Sequence, residues 1–198
     1  SDPFGLYSVL FPLSCKCKDA LKKANADIEA LKRAAANWDI IQRAATAHGI
    51  DPNFLAAIAI RESGFRNIRQ MGGGDGRGVF QIDIGKNPSV SEHQGMDVKY
   101  AANFAAKMLA TNKAILAAEH PSLNSRQLLQ ATAASYNFGT GNVSGNPDTI
   151  DKGTTGNNYG SNVVDLMVSC FNEDGGLVDA PVGNNVRQRS RFGPQLLP

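Results

Sequence analysis

Between Leu21 and Ala45, apolar residues return every three or four positions, at Ala24, Ile28, Leu31, Ala35, Trp38 and Ile41. That spacing paints one stripe down a helix and excludes a strand, whose period is two. The stripe predicts helix from Leu21 with a bend near Asn37, ending at "HGIDP". Asp51-Pro52 then reads as an N-cap with proline at the first helical position. The helix it opens carries Leu55, Ile58 and Ala59 inward and stops at Gly64, a permissive C-cap. Further helices are expected at 97–117, 125–136 and 158–171. "VFQIDI" is the one convincing strand, with Val79, Gln81 and Asp83 on one face and Phe80, Ile82 and Ile84 on the other. The layout is mainly helical with one small β-region, and it has no internal repeats.

The 198 residues suit one domain with a real core. A net charge of +2, with no Lys/Arg cluster and no interleaved aromatics, argues against nucleic acid as partner. No apolar run approaches the roughly 18 residues of a membrane helix. "LYSVLFPL" is shorter still and has no basic lead, so it does not read as a signal peptide. Without an initiator Met, the chain is expected to be a processed or excised fragment. Cys15 and Cys17 lie too close to pair easily, so at most one of them bonds Cys170, tying the N-terminal segment to the last helix. Partly buried free thiols are the alternative. Three cysteines without a nearby His make a poor zinc set.

Leu55, Ile58, Ala59 and Glu62 occupy i, i+3, i+4 and i+7, so Glu62 extends an apolar stripe. A carboxyl in such surroundings has its anion disfavoured, and one still protonated near neutrality can hand a proton to a leaving oxygen. The plainer reading is a helix-end glutamate paired with Arg61 or Arg66, or simply solvated. Asp75 follows in the glycine loop "MGGGDGRG", where Gly76 and Gly78 let the backbone approach a ligand. Asp83 lies beyond it, on the same strand face as Gln81. Inverting glycosidases set a general base roughly 6.5–9.5 Å from the acid to admit a water, and Asp75 or Asp83 could hold it. Each also has a structural reading, a turn aspartate or a loop cap. The glycine loop lacks the Lys-Ser/Thr ending and following helix of a phosphate cradle. Metalloprotease and nucleophile-elbow motifs are absent.

"RESGF", "GDGRGVFQID", "ASYNFGTGNV" and "GTTGNNYGSNVV", in that order, resemble the successive motifs of goose-type lysozymes, relatives of the soluble lytic transglycosylases. The resemblance spans roughly residues 38 to 170. It implies a lysozyme-like fold, a helical bundle around a small β-region lining a substrate cleft. It also implies hydrolysis of the β-1,4 bond between N-acetylmuramic acid and N-acetylglucosamine in peptidoglycan, without a cofactor. By the family pattern Glu62 matches the general acid, and Asp75 and Asp83 the two water-positioning aspartates. Tyr136 and Asn137 match the Tyr-Asn-x-Gly motif that lines the cleft, and Tyr159 a second cleft tyrosine. Tyrosine offers sugars a flat apolar face with a hydroxyl, and asparagine a donor and an acceptor for an N-acetyl group. A core role is the alternative for Tyr136 and for Tyr159. The stretch from Asp75 to Asp83 is shorter than in the bird enzymes, whose disulfide pattern is also absent, and the choice of base stays open between the two aspartates.

"SDPFGL" at the start resembles the Asp-Pro-x-Gly-Leu boundary ahead of the C-terminal toxins of Rhs-type polymorphic proteins. That resemblance implies a toxin acting in a rival's periplasm, with an immunity protein occupying its cleft. A secreted digestive or defence enzyme is the other reading. The expected organisation is an N-terminal segment 1–17, a catalytic domain 18–172 and a loose tail 173–198, in a monomer that does not insert into membranes. Two rivals remain at this stage: a lytic transglycosylase leaving a 1,6-anhydro product through Glu62 alone, and a silent peptidoglycan-binding module.

Overall fold

A computed structural model describes residues 13–171. The boundary motif "SDPFGL" and the tail beyond Asn172 lie outside the described residues. The stripe that opens at Leu21 is three helices rather than one bent rod: α1 (Cys15–Lys23), α2 (Ile28–Ala36) and α3 (Trp38–His48). Asp27 caps α2 by accepting from Glu29 N, and Asn37 ends α2 and begins α3, where the bend was expected.

The helix α4 (Pro52–Ser63) begins and ends as its flanks dictate. The Asp51 carboxylate accepts from Asn53 N at 2.7 Å, and Gly64 takes up the left-handed conformation at φ 60°. Every residue from Asn53 to Ile60 is buried, so α4 is a central rod wrapped on all sides rather than an amphipathic one. Ala56, Ala57 and Ala59 keep it thin enough for neighbours to close around it. Those neighbours are α2, α3, α6 (Val98–Glu119) and α8 (Tyr159–Cys170). Between α6 and α8 run α7 (Ser125–Phe138) and a loop of short 3-10 turns. Among the described residues no helix is long and apolar enough to cross a membrane.

The expected strand "VFQIDI" is corrected. Among the described residues the sheet is two short strands, β1 (Gly76–Arg77) and β2 (Ile82–Asp83), paired antiparallel with Gly76 opposite Asp83 and Arg77 opposite Ile82, and Arg69 adds an isolated bridge to Arg77. Residues 78–81 are the turn between them. Gln81 sits at φ 46°, which breaks strand alternation, and Val79 and Phe80 are both buried instead of pointing to opposite faces. Gly78 is required by contact as well as by its φ of 73°, since a Cβ there would lie 2.0 Å from the Gly95 carbonyl of α5 (Glu92–Met96).

Cys17, not Cys15, bonds Cys170, across a sequence separation of 153. The bridge joins α1 to α8, beside a hydrogen bond from Asn162 Nδ2 to Ala20 O at 2.9 Å. Trp38 stacks on Phe171 nearby. Cys15 is exposed and free.

Candidate active site

Glu62 occupies the last turn of α4, one residue before the buried Ser63. Ser63 locks that turn, donating to Ala59 O at 3.2 Å and to Val79 O at 2.8 Å, which also fixes the hairpin turn beside it. Glu62 is half-buried, opening on one side to a cleft of about 980 Å³. Burial pushes its carboxyl up to about 7, against smaller opposing effects from the Tyr159 hydroxyl and the Arg61 guanidinium.

The sequence-predicted residues distribute around this carboxyl unequally. Asp83, Gln81, Tyr136 and Asn137 line the same cleft as Glu62. Asp83 is held below the usual carboxylate range, chiefly by accepting from Lys86 N at 3.0 Å, with the Lys86 ammonium 3.4 Å from its other oxygen. One cleft therefore holds two carboxyls pushed in opposite directions, Glu62 upward by burial and Asp83 downward by Lys86. Asp75 is exposed and does not line the cleft. Its Oδ2 does converge with Asp83 Oδ1 on one point above Gly85, 2.5 and 3.3 Å from where a Cβ on that glycine would stand.

Gln81 is a clamp, its Nε2 donating to Ile68 O at 3.0 Å and Gly78 O at 2.8 Å. Tyr136 joins α7 to the hairpin turn by donating to Phe80 O at 2.9 Å. Its hydroxyl is raised well above the ordinary tyrosine value by burial and by the Glu62 charge. The Asn137 amide accepts from Thr155 N at 2.9 Å and donates to Thr155 Oγ1 at 3.2 Å, so it anchors the loop before α8 as well as facing the cleft.

Tyr159, expected to meet the sugar, does not line the cleft: it is 2% exposed, and its hydroxyl donates to Glu62 Oε1. The ring is too deeply packed to stack on a ligand, and its one polar atom is committed to the acid. Tyr159→Phe is expected to move the titration of Glu62 upward from about 7, because a donor to the charged form is lost. Carboxyl-carbon NMR of the labelled glutamates reads that shift directly.

Sequence reasoning considered Arg61 only as an ion-pair partner for Glu62 and missed its place against Tyr159. Its guanidinium lies 5.2 Å from the centre of the Tyr159 ring and donates to Thr155 O at 3.1 Å. Adjacency to Glu62 hid the role, since neighbours on a helix point to different faces. Lys86 was legible in principle, standing three residues after Asp83. The turn between α1 and α2 adds Asn25 to the cleft, and α6 adds Met108 and Asn112. Among the described residues no group of three or more His, Cys, Asp or Glu could hold a metal ion.

A carboxyl that is still partly protonated at neutral pH and opens on a cleft, with an ionised one lining the same cleft, can protonate a leaving oxygen and draw a proton from water. The family model described as Lysozyme g matches residues 13–167, so the likeness reaches back through α1 and α2, well before the motifs that suggested it. Lysozyme g of Epinephelus coioides is 32% identical over 127 residues, covering 59% of this chain and 65% of that protein. The chain thus spans just under two thirds of that relative's length. By the extent of the family match, the chain belongs to the lysozyme g family.

Proposed function

We propose that this protein is a muramidase that hydrolyses the β-1,4 bond between N-acetylmuramic acid and N-acetylglucosamine in peptidoglycan. The observation that carries the reading is the half-buried Glu62 carboxyl, raised to about 7 at the wall of an open cleft. At neutral pH about half of it is protonated, and it donates that proton to the glycosidic oxygen as the bond to C1 breaks. Asp83, ionised through Lys86, takes a proton from a water that attacks C1 from the opposite face, so the anomeric configuration inverts. Asp75 supports that water from the neighbouring loop. Asn25 supplies an amide to the N-acetyl sugars, Tyr136 and Asn137 shape the cleft wall while anchoring the hairpin turn and the loop before α8, and no cofactor takes part.

Digestion of purified peptidoglycan, followed by mass spectrometry of the muropeptides, tests this reading. Hydrolysis leaves a full reducing end. A 1,6-anhydro end, one water lighter, would instead identify a lytic transglycosylase, and wall binding without cleavage would identify a silent binding module. The two aspartates are separated by substitution. Asp83→Asn is expected to lower turnover about a hundredfold or more, and Asp75→Asn by about tenfold, with both melting temperatures near that of the wild type. Equal losses would make the aspartates joint holders of the water.

Action outside the producing cell belongs to the same reading. The Cys17–Cys170 bridge supports it, because such bridges persist in oxidising compartments. The toxin reading adds delivery into a rival's periplasm and an immunity protein seated in the cleft, and it rests on "SDPFGL". The working unit is a monomer, with residues 18–172 as its catalytic domain.

A further inference from the structure

Asp151 is buried at 8% exposure, yet no cation pairs with it among the described residues. Its carboxylate is satisfied by amides instead. Oδ1 accepts from Gly160 N at 2.6 Å, and Oδ2 accepts from Ser161 N and from Gln130 Nε2, each at 2.9 Å. The Asp151 carbonyl accepts from the Thr154 hydroxyl at 2.7 Å, whose oxygen in turn accepts from Tyr159 N at 3.3 Å. Three consecutive amides of the first turn of α8, at residues 159, 160 and 161, are therefore held by this one aspartate, directly or through Thr154.

The residue where an N-cap would stand does not do that work. Asn158 makes no side-chain cap, and its Oδ1 accepts from Arg61 Nη2 at 3.4 Å instead. The cap comes from seven residues upstream, where a negative charge also suits the positive end of the helix. Gly160 leaves room for it: a Cβ there would lie 2.3 Å from Gln130 O and 2.8 Å from Asp151 Oδ1. The residue whose placement this cap decides is Tyr159, whose hydroxyl reaches Glu62.

We propose that Asp151 is a positioning residue, which by capping the first turn of α8 holds the Tyr159 hydroxyl on the Glu62 carboxyl. The assignment rests on Glu62 being the acid. It does not require Asp151 to touch substrate. The groups facing Glu62 are the Tyr159 hydroxyl from α8, Tyr136 from α7 and Arg61 from its own helix, with Asp83 and Lys86 lining the same cleft. Of these, Asp151 is tied to the first through the backbone of residues 159–161.

The test is a double-mutant cycle between Asp151→Asn and Tyr159→Phe, each variant read by carboxyl-carbon titration of Glu62 and by peptidoglycan turnover well below its melting temperature. Asp151→Asn keeps one oxygen for Gly160 but sets an amide N–H against the donors of Ser161 or Gln130. The Glu62 midpoint is expected to rise by about half a unit to one unit, as in Tyr159→Phe. With it kcat falls about tenfold, and KM stays within about twofold. The double variant matches Tyr159→Phe in both readouts. A folded Asp151→Asn protein with an unmoved midpoint overturns the assignment, and so does an effect that adds in full to that of Tyr159→Phe. If Asp151→Asn does not fold, Asp151→Glu, which keeps the charge but displaces both oxygens from the Gly160 and Ser161 amides, carries the same test, with the same rise expected and an unmoved midpoint again decisive against it. A wild type that cuts no peptidoglycan removes the muramidase reading, while the titrations still judge the link from Asp151 to Glu62.

Discussion

Glu62→Gln is expected to lower turnover of purified peptidoglycan by about a thousandfold or more, while leaving the fold intact and making the protein harder to unfold at neutral pH. The first half follows from chemistry. An amide of nearly the same shape still accepts from Tyr159 but has no acidic proton to deliver. The second half follows from linkage. Burial raises the folded-state pKa of Glu62 from 4.5 to about 7, so across that interval the unfolded chain has released a proton that the folded chain retains. Stability therefore falls as pH rises from 4.5 and stops falling once pH has passed about 7. The full shift corresponds to roughly 3 kcal/mol, and about 2 kcal/mol is expected once the open side of the carboxyl is discounted for solvent screening. Urea titrations of both proteins should thus coincide near pH 4.5 and separate near pH 8, with the variant the more stable. The same ionisation sets the alkaline limb of activity, which declines as pH passes about 7. Retained turnover in the variant would leave the proposed acid without a role. Loss of turnover with no gain in stability at pH 8 would mean that the carboxyl is not destabilised by its surroundings.

How much of this was legible in the sequence depends on whether the cause was local. The helix that carries Glu62 was, because Asp51, Pro52 and Gly64 act on their own turns, although the stripe read along it is a helix buried on all sides. The hairpin was not. Strand alternation was read straight through Gln81, whose left-handed φ is stabilised by its side chain bonding back to Gly78 and Ile68, and no periodicity reveals that. The role of Tyr159 was hidden for a different reason. Its motif marks it as near the site, but whether its hydroxyl meets a sugar or the acid depends on how α8 docks on α4. The residues that hold the first turn of α8, Asp151 and Gly160, stand in an unremarkable loop and a helix start. Arg61 was legible as a charge beside Glu62, but not as the group lying over the Tyr159 ring. The four motifs carry most of the residues that line the cleft, and tertiary packing decides which of them are free to face it.

Breaking the Cys17–Cys170 bridge, by Cys17→Ser with Cys170→Ser, is expected to lower the melting temperature by about 10 °C or more while sparing most of the activity of protein that remains folded. The partner was legible in retrospect. Two residues on a helix differ by about 200° in direction, so Cys15 and Cys17 cannot both face inward. Cys17 shares the face of Ala20, Leu21 and Ala24, all buried, and is itself fully buried, whereas Cys15 is exposed. The sequence separation of 153 closes nearly the whole described fold into one loop, and loops of that length give about 4–5 kcal/mol by chain entropy alone. Measured values run lower where the unfolded state keeps structure, so about 3–4 kcal/mol is the expected loss. Position decides what fails first. The bridge holds α1 against the far end of α8, eleven residues from Tyr159, and Asp151 caps the near end independently. Activity at low temperature should therefore survive reduction, with the Glu62 titration unmoved, while the temperature of half-inactivation falls. Calorimetry with and without reductant, with turnover measured on the same samples, separates the two. A melting temperature unchanged by reduction would show that the packing of α1 on α8 suffices by itself.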